Sequence, residues 1–192
     1  MKYKLEPDDL TCDFDGWAFL LFRSTLPSYI FADSLNRLYH CRLERIDDLP
    51  LNGAAWPFYR YDDSVRHLKY FLTERPAAAT SAPWSASDKL LAVKGETAAV
   101  AIDKILNDFT APRRCTPGDL LAEEHAALLD ELQAAFTVAA PIDLNDDTPV
   151  SRRGQKERAL VEQWCSDLLG YIDSRHLDLS DDEQRDFRMT SS

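Results

Sequence analysis

His40 and Cys41 form an adjacent imidazole–thiol pair, the group types from which zinc sites and cysteine nucleophiles are built. They stand at the end of a segment that reads as a helix. Adjacent helical side chains point about 100° apart, so the two are poor co-ligands there. The negative end of a helix dipole gives His40 a sufficient structural role. The remaining cysteines, Cys12, Cys115 and Cys165, lie far apart, and no Cys-x-x-Cys occurs. Four reduced thiols are expected. Cys12 has acidic neighbours, which raise rather than lower a thiol pKa. The aspartate pairs Asp8-Asp9, Asp47-Asp48, Asp62-Asp63 and Asp181-Asp182 are contiguous and turn-like. Carboxylate catalysis instead needs two acids across a substrate, one of them desolvated. No Gly-x-Ser-x-Gly, Gly-x-Gly-x-x-Gly or Walker sequence occurs. Lys94-Gly95-Glu96-Thr97 reads as a tight exit from a strand, with Glu96 set to repel phosphate. The basic doublets Arg113-Arg114 and Arg152-Arg153 flank helices. No catalytic residue, metal ligand or cofactor is assigned from these patterns.

Aromatic residues carry more information. Trp56, Phe58, Tyr59, Tyr61, Tyr70 and Phe71 crowd one expected hairpin. Strand side chains alternate, so these rings cannot share one face. Either helices cover both faces, or one face exposes an aromatic patch suited to a partner. In the second case Tyr59, Arg60, Tyr61 and Arg66 form the interaction surface. A pocket between the sheet and the C-terminal helices would instead use Arg60, His67 and Tyr70.

The elements that must position these residues follow from periodicity. Trp17–Phe22 is short and continuously apolar, as a central strand is. A helix over about 26–40 follows, capped by Ser24 or Thr25, with Pro27 in its first turn and Leu26, Ile30, Leu35 and Leu38 as its apolar side. Leu43–Ile46 is a weak strand. Phe58–Tyr61 and the alternating segment 66–73 make the hairpin about Asp62-Asp63-Ser64. Lys89–Lys94 is a further strand, ended by Gly95. Ile102, Ile105, Leu106 and Phe109 mark a helix on the sheet. Beyond it the chain reads as helical. Thr116 caps a stripe of Leu121, Leu128, Leu129, Leu132 and Phe136. After an acidic loop over 140–153, Leu160, Val161, Trp164, Leu168, Tyr171 and Ile172 form a second stripe over about 154–175. Ser180 begins a capping box. The expected fold class is α+β: a mostly antiparallel sheet with packed helices in 1–110, then an acidic helical extension in 111–192 packed on it.

Composition supports this picture and narrows function. Hydrophobic residues make up 45% of the 192, enough for a core. Acidic residues outnumber basic ones by 33 to 22, for a net charge of -11. Residues 1–110 hold a net -3 and 111–192 a net -8. Such a surface disfavours nucleic acid and anionic lipid, which require cations. Neither a signal peptide nor a membrane span is expected.

A set of residues in the first half runs in a recognisable order. It starts with the strand 17–22, then Tyr29, Ala32, Leu35 and Asn36 in the helix, then Leu43-Glu44-Arg45. The aromatic strand ending in Asp62-Asp63, Tyr70-Phe71-Leu72 and Leu91-Ala92-Val93-Lys94-Gly95 complete it. Over about residues 5–108 this order resembles the IPExxxVDY family, small uncharacterised proteins of Bacteroidetes. The naming motif is degenerate here, with Ala82-Pro83-Trp84 and Ser87-Asp88-Lys89 in its place. The resemblance implies a cytoplasmic bacterial protein of mixed fold and supplies no catalytic residue.

Two functional expectations stand together. One is a non-enzymatic protein that holds a protein partner or a second copy of itself. The other is a small-ligand-binding protein or enzyme with a noncanonical pocket.

Overall fold

A computed structural model describes residues 14–24, 26–51, 54–75, 88–110, 124, 126–130, 136–142 and 152–179. Its centre is a six-stranded sheet in the order β2-β5-β6-β7-β1-β8. The strands are β1 (Trp17–Ser24), β2 (Glu44–Arg45), β5 (Phe58–Asp63), β6 (Leu68–Glu74), β7 (Asp88–Lys94) and β8 (Phe136–Ile142). Every pairing is antiparallel. The short strands β3 (Leu49–Leu51) and β4 (Ala54–Trp56) pair separately. The helices with defined bounds are α1 (Ser28–Tyr39), α2 (Ala98–Thr110) and α3 (Arg152–Ser174), and residues 124 and 126–130 are helical as well. The class is α+β, with a mostly antiparallel sheet, packed helices and a C-terminal helix.

Strand alternation divides the core in two. Leu20, Phe22, Tyr59, Leu68, Leu72, Leu91 and Val93 face α1 and α2, meeting Phe31, Leu35, Leu38, Ile102, Ile105 and Phe109. Their strand neighbours Phe19, Leu21, Phe58, Phe71, Leu90 and Ala92 face the opposite way, onto Trp56 of β4 and Val161, Trp164, Cys165, Leu168 and Ile172 of α3. Trp56 and Trp164 meet edge to face at 5.3 Å. A strand with both faces covered loses the polar half of its alternation, which is why β1 and β7 read as apolar runs. The aromatic hairpin therefore adopts the arrangement with both faces covered. Among the described residues no helix is long and apolar enough to cross a membrane.

Three local expectations are corrected. First, α1 begins at Ser28 rather than near Leu26, and Pro27 precedes the helix with ψ 147°. The Ser24 hydroxyl accepts from the Leu26 amide at 3.0 Å in a tight turn. The first amide of α1, which has no partner within the helix, is satisfied from afar, Ser28 N donating to Glu74 Oε2 at 3.0 Å. A carboxylate at a helix N-terminus also suits the dipole. Second, the apolar stripe of α1 is Phe31, Ala32, Leu35 and Leu38, while Ile30 lies on the exposed side. Third, the second half is not wholly helical. Phe136 opens strand β8, which pairs with β1 from Phe19 to Ser24 with an irregularity between Leu20 and Phe22. Pro141 sits in that strand because β8 is at the sheet edge, where a missing amide donor is tolerated. Cys12, Thr25, Trp84, Arg113, Arg114, Cys115, Thr116, Leu121, Leu132 and Ser180 fall outside the described residues.

Gly95 is required by packing as well as conformation. Its φ is +139°, and a Cβ there would lie 2.6 Å from the His67 carbonyl oxygen and 2.7 Å from Leu68. The tight strand exit expected at this position is thus enforced by the neighbouring hairpin.

Candidate functional site

The helix-covered face that holds α1 and α2 is not filled to its end. Between these helices and the sheet, near the β5–β6 turn, lies a cavity of about 300 Å³. That is the low end of the range of ligand pockets, about 300–1,000 Å³. Its apolar floor is Leu35, Leu43, Leu68, Leu91 and Ile105, and its walls include Tyr39, Tyr61 and Tyr70. Arg66, Lys104, Asp63, Cys41 and Thr97 supply its polar groups.

Each wall is set by local chemistry. Tyr61 and Tyr70 are directly opposed across the β5–β6 ladder, so both project onto the α1/α2 face with ring centroids 5.7 Å apart. Asp63 ends β5 and organises the turn, its Oδ1 accepting from the Val65 amide at 3.2 Å and the Arg66 amide at 3.0 Å. The Arg66 guanidinium reaches back to within 3.7 Å of Asp63 Oδ2. On the other wall, His40 closes α1 in the left-handed conformation, φ 50°. Asn36 then clasps the chain as it leaves. Its Oδ1 accepts from the Leu43 amide at 2.7 Å and its Nδ2 donates to the Leu43 carbonyl at 3.1 Å. This clasp holds Cys41 and Leu43 against the cavity. Lys104 of α2 projects its ammonium over the Tyr39 ring, 5.6 Å from the centroid.

The electrostatics leave the Cys41 thiol unactivated. Burial pushes the Cys41 thiol up to about 11. Its sulfur lies 3.2 Å from Asn36 Oδ1 and 3.4 Å from the Leu35 carbonyl oxygen, acceptors that hold the proton on. Such a thiol is a poor nucleophile at neutral pH. Burial, then the Asp63 carboxylate, also raises the pKa of Tyr61 and of Tyr70. Both phenols stay neutral and can donate hydrogen bonds.

The residues singled out from sequence are dispersed. Tyr59 is 4% exposed and packs in the α1/α2 core, its hydroxyl 3.2 Å from Ser28 Oγ. Arg60 points to the opposite face, where its guanidinium donates to the Leu179 carbonyl at 3.3 Å. Tyr61 and Arg66 line the cavity. Of Arg60, His67 and Tyr70, only Tyr70 lines it; His67 is exposed in the turn with φ 53°. The cavity lies under α1 and α2 rather than under the C-terminal helix. Lys104 and Asp63 were missed as site residues. Asp63-x-x-Arg66 is a legible turn signal, but nothing in sequence joins Arg66 to Lys104.

A second polar cluster lies on the α3 face. Asp62, Lys69 and Lys94 are register partners across three strands. The segment after α3 closes over them: Lys94 pairs with Asp178 at 2.6 Å, and Lys69 donates to the Asp178 carbonyl. No group of three or more metal-ligating side chains converges among the described residues.

No protein-family model matches the chain, and no curated protein matches it at a significant level.

Proposed function

We propose that this protein binds a small, largely apolar molecule in the cavity between the sheet and helices α1 and α2. The observation that carries this is a space of about 300 Å³ lined by three tyrosines and seven aliphatic side chains. A concave, mostly apolar cleft with a few convergent polar groups is the form small-ligand sites take. Neutral phenols and shielded thiol chemistry support binding without turnover.

Fluorescence of phenylnaphthylamine, a neutral apolar probe, tests this. The native protein should enhance its emission saturably, at a stoichiometry of one. Ala101→Trp fills the cavity from α2, and Val100→Trp covers its mouth with little risk to folding, since Val100 is 67% exposed. Both variants should lose the enhancement while keeping the native circular dichroism. Equal binding by native protein and both folded variants would exclude the cavity.

A protein partner is the second reading. Val65, next in sequence to the lining residue Arg66, is 87% exposed and Val100 of the lining is 67% exposed, so an apolar side chain of a partner or second copy could seat there. Solution mass of the native protein and of Val65→Asp separates the two: a dimer dissolved by Val65→Asp favours the partner.

A further inference from the structure

The chemistry of the cavity mouth identifies the class of ligand. Two cations reach it from different elements, Arg66 from the β5–β6 turn and Lys104 from α2. One carboxylate, Asp63, shares the lining, and it is already committed. One of its oxygens accepts two turn amides, and the other lies 3.7 Å from Arg66. Lys104 forms no ion pair with any described carboxylate; its ammonium lies over the face of Tyr39. The mouth is therefore locally positive on a chain whose net charge is -11. Behind it the floor is aliphatic and the walls aromatic. A cationic ligand would be repelled at the rim. A neutral one would leave the Lys104 ammonium to water.

We propose that the ligand is a flat organic anion: an aromatic or conjugated body held between the tyrosines and the leucine floor, with a single acidic group at Arg66 and Lys104. This rests on the cavity being the binding site. An ammonium and a guanidinium on two sides suit a carboxylate, since charge-assisted hydrogen bonds are about twice as strong as neutral ones. The Tyr61 and Tyr70 hydroxyls supply neutral donors beside them.

Naphthoate and naphthylmethanol share a ring system and differ in charge, so calorimetry with both isolates the acid. The native protein should bind naphthoate about tenfold or more tighter than the alcohol, as one charge-assisted contact implies. The double variant Arg66→Gln/Lys104→Gln should erase that preference, because the removed groups distinguish the two ligands through charge. Native affinity for naphthoate, and not for the alcohol, should fall with added salt. Equal affinity for both ligands in the native protein, or a preference that survives the double variant, overturns the anion proposal. If Ala101→Trp still abolishes binding in those cases, the cavity stands and only the charge assignment fails. If Ala101→Trp and Val100→Trp leave both ligands bound, the cavity itself is wrong.

Discussion

The Lys89 ammonium lies 3.1 Å from Glu74 Oε1 while its side chain has 0% exposure, placing a complete cation inside the α1/α2 face. It also donates to the Ser24 carbonyl at 3.3 Å. The second Glu74 oxygen receives the first amide of α1. One carboxylate thus ties the neighbouring strands β6 and β7 to the end of β1 and the start of α1. A buried ion of this kind is tolerated only when paired and hydrogen-bonded.

Removing one partner should therefore cost more than removing both. Glu74→Gln removes the carboxylate charge 3.1 Å from the buried ammonium and is expected to lower stability by about 3–5 kcal/mol. The double variant Glu74→Leu/Lys89→Leu should cost clearly less. Urea denaturation of the two, completed as a double-mutant cycle, checks this; equal losses would show that the pair is solvated.

Gly95→Ala should destabilise on two grounds, a φ of +139° and a Cβ 2.6 Å from the His67 carbonyl. Strain of this kind costs of order 1–3 kcal/mol per residue. Thermal denaturation should show a clear drop in Tm. Because the clash is with the β5–β6 turn, probe binding in the cavity should weaken as well.

Asp178→Asn should loosen the segment after α3 without unfolding the protein. The Lys94–Asp178 pair is partly exposed, so its loss should cost about 0.2–1 kcal/mol. Hydrogen exchange should accelerate over 173–179 and remain slow at Leu168. Uniform acceleration across α3 would show that the pair holds the whole helix.

The raised pKa of the Cys41 thiol makes a pH prediction. Cys41 moves from 9.0 to about 11 on folding, so the folded state holds the proton more tightly than the unfolded chain. That contribution is complete below pH 9 and is lost as pH rises toward 11. Tyr61 and Tyr70 are also raised and act in the same direction at alkaline pH. Cys41→Ser should flatten part of the decline between pH 9 and 11 in denaturation curves. Iodoacetamide at pH 8 should modify Cys41 of the native protein far more slowly than in urea.

The sequence by itself determined the elements whose signal is local. Apolar runs marked β1 and β7, alternation marked β6, and stripes at helical spacing marked α2 and α3, because burial on one or both faces writes that periodicity into the chain. Gly95 was legible as a strand exit for the same local reason. Tertiary structure decided the rest. Phe136–Ile142 became a strand because β1 offered it an edge. Glu74 caps α1 across 46 residues of chain. Tyr61 and Tyr70 became cavity walls while Arg60, their neighbour on β5, turned to the opposite face to meet Leu179. Arg66 and Lys104 line one cavity only because the sheet carries the turn toward α2, and distances between elements are set by packing, which no local pattern encodes.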